Sequence, residues 1–105
     1  MENIQNLNLE TVAKALSADT RLKILKILVG KNFSSIEVYK EYKKKFHDDK
    51  HRETIYRALE ILLDAGILDK RYDKKNKNVV YYIKHKELTI DLLTQKLKIK
   101  DDTIH

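Results

Sequence analysis

Apolar residues recur along this chain at spacings that change from one segment to the next. Leu9, Val12, Ala13 and Leu16 keep helical spacing and predict a first helix over about 8–17. Asp19 stands where an N-cap would. Leu22, Ile24, Leu25, Ile27 and Leu28 follow it, and Gly30 occupies the C′ position of this second helix. Its wide apolar side predicts the most buried helix. Ser34 or Ser35 caps a third helix, with Glu37 or Glu41 supplying acid near its start. Ile36, Val38, Tyr39 and Tyr42 form its inner stripe, and the basic run 43–45 carries it toward Phe46. The polar stretch 47–50 reads as a connection. Ile55, Leu59, Leu62 and Leu63 then sit at i, i+4, i+7 and i+8, a strong helical signature over 51–65, and Gly66 closes it.

Beyond Gly66 the period becomes extended. Residues 67–72 suit a strand, and 73–78 suit a turn with Asn76 and Asn78 as its tight residues. Residues 79–83, rich in β-branched and aromatic side chains, suit the returning strand. Ile90, Leu93 and Leu97, three and four apart, predict a last helix over about 86–100, a series that Ile104 extends. A lone hairpin is barely stable in water. This one must lean on the helices through Ile67, Leu68, Val80 and Tyr82, or through the alternate register. The expected fold is mainly α with a β-hairpin wing: a winged helix-turn-helix ordered helix-helix-helix-helix-strand-strand-helix. Residues 1–85 form the winged domain, and 86–105 add a C-terminal dimerisation helix to it.

Charge is unevenly spread. The chain has 105 residues and a formal net charge of +6. Residues 70–86 carry seven bases and one acid, whereas 58–69 carry three acids and no base. Both ends are slightly acidic. A polyanion-facing middle and differently employed termini follow. In the fourth helix Arg52, Glu53, Tyr56 and Arg57 lie off the buried stripe near its N-terminal end. A recognition helix needs that division, with one face anchored in the core and the first turns free to enter a major groove. Arginine pairs bidentately with guanine, and Tyr or Thr54 reaches phosphate or a thymine methyl. The competing reading is an ordinary solvated helix face. Lys70, Arg71, Lys74, Lys75 and Lys77 crowd the wing. Laid on a backbone they would displace counterions and make affinity steeply salt-dependent; the plainer reading is a solubilising tip. The run 43–45 also suits a helix C-terminus.

Other chemistry finds little footing. With no cysteine there is no disulfide, thiolate metal site or cysteine nucleophile. His47 and His51 are four apart, but a connection separates them, so they do not share a helix as that metal-binding spacing requires. No glycine-rich phosphate loop, catalytic triad or paired carboxylates emerge, so neither catalysis nor a cofactor is expected. No apolar run approaches membrane-spanning length, and no signal peptide is evident. A cytoplasmic protein, nucleoid-associated if prokaryotic, is the simplest reading. Ile90, Leu93 and Leu97, with Leu7 and Ile4 at the other end, exceed what the winged core must bury. A symmetric dimer interface through Leu7, Ile90, Leu93 and Leu97 is expected, against the alternative of a lid on the same domain.

Two stretches resemble known regulators. Leu16-Ser17-Ala18-Asp19-Thr20-Arg21-Leu22-Lys23-Ile24-Leu25 resembles the entry to the second helix of ArsR-like winged-helix repressors. Thr54-Ile55-Tyr56-Arg57-Ala58-Leu59, followed by Leu62-Leu63-Asp64-Ala65-Gly66-Ile67-Leu68, resembles the recognition helix and strand entry shared by ArsR, PadR and Fur-type regulators. The resemblance spans about 10–84. It implies a dimeric regulator of transcription bound to double-stranded DNA, with Arg52, Glu53, Tyr56 and Arg57 at bases and Thr54 at a base or phosphate. The wing would lie on the backbone or in the minor groove. ArsR-type metal sensors carry cysteines in the third helix, and here there are none. Fur-type proteins need a histidine-rich sensing domain, for which this chain reads as too short. A metal-free homodimeric repressor is therefore expected. A protein-binding module within a larger complex and a non-specific chromatin-like or RNA-binding protein are the other readings.

Overall fold

In the computed structural model, which describes residues 7–100, four helices precede two antiparallel hairpins. Helix α1 (Leu9–Ala15) begins where the Asn8 side chain accepts the Thr11 N–H at 3.0 Å. It ends where Arg21, from the next helix, donates to the carbonyls of Ala15 (2.7 Å) and Lys14 (3.2 Å). Helix α2 (Asp19–Leu28) is capped by Ala18 rather than Asp19. Asp19 is instead the first helical residue, and its carboxylate pairs with Lys23 at 3.0 Å. That contact raises the Lys23 pKa, chiefly through the Asp19 hydrogen bond.

Helix α3 (Ser35–Phe46) opens with a reciprocal capping box. Ser34 Oγ accepts the Glu37 N–H at 3.2 Å, and Glu37 Oε1 accepts the Ser34 N–H at 2.8 Å. Val38 and Tyr42 are buried, but Ile36 is exposed, so the inner stripe is narrower than expected. The connection to α4 is pinned by the Tyr42 hydroxyl, which donates to Asp48 at 3.2 Å.

Helix α4 (Arg52–Asp64) buries Ile55, Ala58, Leu59 and Leu62. It ends in a Schellman motif, in which Gly66 N–H reaches Leu63 O (3.0 Å) and Ile67 N–H reaches Leu62 O (3.1 Å). Strands β1 (Leu68–Asp73) and β2 (Asn78–Ile83) pair with Leu68 opposite Ile83 and Lys70 opposite Tyr81. Phe33 bridges the other edge of β2 by exchanging two hydrogen bonds with Tyr81. Ile67, Leu68 and Val80 are buried as expected. Tyr81, not Tyr82, enters the helical core. Tyr82 is half-buried, with its hydroxyl 3.4 Å from Asp69.

Over residues 86–100 the expected C-terminal helix does not form. Residues 87–100 form a second hairpin, β3 (Glu87–Asp91) and β4 (Lys96–Lys100), with Leu88 opposite Ile99 and Ile90 opposite Leu97. All four apolar residues therefore share one face, as period-two alternation requires. Leu88 and Leu97 pack against the winged core. Ile4 and Ile104 lie outside the described residues.

Both hairpins turn in the same way. Asp73 Oδ1 accepts the Lys75 N–H, and Asp91 Oδ1 accepts the Leu93 N–H, each at 3.0 Å. Four residues after each Asp, Lys77 (φ 55°) and Gln95 (φ 59°) take the left-handed conformation. The wing's tight residue is thus Lys77, not Asn76 or Asn78. Asn76 serves instead by donating to Asp73 Oδ2 at 2.8 Å, the main cause of that carboxylate's lowered pKa.

Candidate nucleic-acid interface

The N-terminal half of α4 stands between the starts of two other helices. On one flank Arg52, Glu53 and Tyr56 line a shallow cleft with Ser35, Ile36 and Tyr39 at the start of α3. On the opposite flank Thr54 and Arg57 border a cleft with Ala18, Thr20 and Arg21 at the start of α2. All five α4 residues singled out from the sequence are solvent-exposed, so the buried stripe leaves them free of the core. Arg57 and Glu53 are an i,i+4 pair at 3.3 Å, each with a side chain 73% exposed. An ion pair so exposed is worth only a few tenths of a kcal/mol and opens readily (about 0.3–0.5).

The wing stands beside this helix. Glu60, two turns after Glu53 on the same ridge, reaches the base of the hairpin. Its Oε2 accepts from the Tyr81 hydroxyl at 2.6 Å and lies 3.4 Å from Lys70 Nζ. The Lys70 ammonium also lies 5.9 Å from the centroid of the Tyr81 ring. Burial, followed by the Glu60 contact, raises the Tyr81 pKa well above the ordinary value of 10.0. Arg71, Lys74, Lys75 and Lys77 are exposed along the strand and tip. Lys70 is thus set apart from the other basic wing residues by an internal acidic partner. Glu60 and Tyr81 escaped the sequence reading. The one available signal was a carboxylate on a helix segment with no neighbouring base.

The expected dimer residues fall into two groups. Leu7 and Leu97 are half-buried against the chain's own core, whereas Ile90 and Leu93 are exposed, Leu93 at 97% on the second hairpin's tip.

Four helices, with α3 and α4 as the helix-turn-helix and a lysine-tipped hairpin beside α4, define the winged-helix class. The sequence matches the Ferric uptake regulator family over residues 10–103, and the chain belongs to that family of transcription regulators. Among solved structures it is similar to the Vibrio cholerae ferric uptake regulator (22% identity, TM-score 0.60, covering 89% of this chain and 76% of that one). It is also similar to an ArsR-like transcriptional regulator from Rhodococcus sp. RHA1 (22%, TM-score 0.57, covering 72% and 64%). The Helicobacter pylori ferric uptake regulator is a third (19%, TM-score 0.57, covering 97% and 75%). No curated protein matches the sequence.

These findings correct three expectations. The family is Ferric uptake regulator, not ArsR, although the fold is common to both. The chain's shortness does not set it apart from Fur-type proteins, because the family match covers residues 10–103, although the chain spans only 76% of the Vibrio cholerae structure. The expectation of no metal loses its support from kinship, since the H. pylori structure is described as having three functional metal binding sites. Among the described residues the side chains nevertheless form no such site. Cysteine is absent, and among the described residues no three His, Asp or Glu side chains converge. In the stretch bearing His47 and His51, Asp48 is engaged by Tyr42 and lies 4.0 Å from Lys50. Among the described residues no helix is long and apolar enough to cross a membrane.

Proposed function

We propose that this chain is a sequence-specific regulator, acting as a repressor, that binds double-stranded DNA as a homodimer. The α4 helix enters the major groove, where Arg52, Glu53, Tyr56 and Arg57 meet base edges and Thr54 a base or phosphate. Arg71, Lys74, Lys75 and Lys77 lie on the backbone or in the minor groove. The observation that carries the reading is the Glu60 contact, which ties the base of the wing to the ridge of α4 that bears Arg57. Helix and hairpin thus sit side by side, as a duplex touching both requires. The dimer partner is met through the exposed Ile90 and Leu93 of the second hairpin, with Leu97 and Leu7, half-buried against the chain's own core, adding their remaining exposed surface.

Titrating affinity against salt tests the electrostatic part. The logarithm of affinity is expected to fall linearly with that of salt, with a slope of about −0.9 per phosphate neutralised. A flat response removes the reading. Arg57→Ala is expected to weaken binding to a selected duplex more than to random DNA, by about 1–3 kcal/mol. Equal loss on both would demote Arg57 to a phosphate contact.

A further inference from the structure

Three separate parts of the chain meet at Tyr81. Its backbone exchanges hydrogen bonds of 3.1 and 2.7 Å with Phe33, the residue just before the α3 cap. The residue is 3% exposed and belongs to the core. Its hydroxyl leaves that core to reach Glu60 on α4 at 2.6 Å. Lys70, its cross-strand partner, reaches the same carboxylate oxygen at 3.4 Å.

The buried side chains of α4 are all apolar: Ile55, Ala58, Leu59 and Leu62. Such packing is non-directional and fixes a helix's rotation only through shape. A hydrogen bond to a charged acceptor has a fixed length and direction and is about twice as strong as a neutral one. It acts one turn C-terminal to Tyr56 and Arg57, so a small rotation at Glu60 displaces the side chains proposed to read bases. The joint has an electrostatic role as well. A bare carboxylate on this ridge would repel phosphate, and the Lys70 ammonium offsets it.

We infer that Glu60 and Tyr81 are positioning residues that set the angle between recognition helix and wing, and that Lys70 is held in this joint rather than on phosphate. The inference rests on the DNA-binding reading above and adds to it what aligns the two contact surfaces. It also revises the expectation that Lys70 touches DNA.

Two substitutions and one comparison test it, using the duplex that the unaltered chain enriches from a random pool. Y81F keeps the buried ring and removes only the hydroxyl. Cooperative unfolding is expected to persist, while the ratio of selected to random affinity falls roughly tenfold, comparable to one mismatched base pair. The salt slope is expected to stay unchanged. E60Q keeps an acceptor for Tyr81 but frees the Lys70 ammonium, so the salt slope is expected to steepen by about one unit. A folded Y81F with an unaltered ratio overturns the positioning role, and an unaltered E60Q slope overturns the confinement of Lys70. Should Y81F not fold, the ratio measured for E60Q, in which the charge-assisted bond to Tyr81 becomes a weaker neutral one, decides the positioning role, and an unaltered ratio overturns it. If the unaltered chain binds no duplex, the DNA reading itself fails and this inference falls with it.

Discussion

Gly66 has a φ of +83°, and a Cβ placed there would lie 2.5 Å from Leu7 Cδ2. Backbone conformation and space thus both select glycine where α4 hands over to the wing. Gly66→Ala is expected to cost about 1–2 kcal/mol, measured by denaturant unfolding. A loss under about 0.5 kcal/mol would mean that the Leu7 side chain yields and the backbone relaxes. Glycine at the end of an apolar period was legible from the sequence, because C′ chemistry is local. The role of Arg21 was not. Its guanidinium caps α1 from six residues away, a contact that only the folded chain creates. The stretch around it resembles ArsR-like proteins because it builds a helix corner common to winged folds. It therefore pointed to the fold and misdirected the choice of family. Asp73 makes a pH-dependent prediction. Its carboxylate is held below the usual 3.8, first by Asn76 and then by backbone N–H groups. A lowered native pKa gives a contribution that is complete above the unfolded value and lost as pH falls through the native one. The Lys75 amide resonance is expected to shift only below about pH 4. A shift centred near neutrality would place the turn's stability elsewhere.

At the scale of elements, the helices were readable because each satisfies several signals at once. The α3 helix has a capping box, an inner stripe and a basic last turn, and its observed end at Phe46 follows. The second hairpin was misread as a helix for a definite reason. Ile90, Leu93 and Leu97 fit helical spacing, but Leu88 and Ile90 with Leu97 and Ile99 fit strand alternation better. Leu93, which decided for the helix, belongs to a turn. That turn has no glycine, proline or asparagine, and Gln95 takes the left-handed conformation normally left to them. Only the Asp91 carboxylate, accepting the Leu93 and Thr94 N–H groups at 3.0 and 3.2 Å, marks it. The five α4 residues of the candidate interface were legible from periodicity because exposure follows from a buried stripe. The Glu60–Tyr81–Lys70 joint was not, since it joins positions 21 residues apart.

For the whole molecule, the extents of 40 × 30 × 19 Å bear on assembly. Paired recognition helices must lie about 34–36 Å apart to enter successive major grooves. Two chains of this breadth, side by side, have the size that spacing requires. Leu93→Lys is expected to leave the monomer's unfolding within about 0.5 kcal/mol, because a side chain 97% exposed supports nothing in its own domain. It is also expected to shift the protein to monomer in sedimentation and to weaken binding to a two-half-site duplex more than to a single half-site. A variant that stays dimeric would move the interface away from the second hairpin.

The shared bend of the two hairpins has a consequence for design. An aspartate hook and a left-handed residue four places later fix the path of the chain, and neither depends on the pair at the crest. One prong carries Lys74 and Lys75 there, the other Leu92 and Leu93. The same scaffold therefore holds out a cationic fingertip and a greasy one, and the character of each is set by two interchangeable side chains.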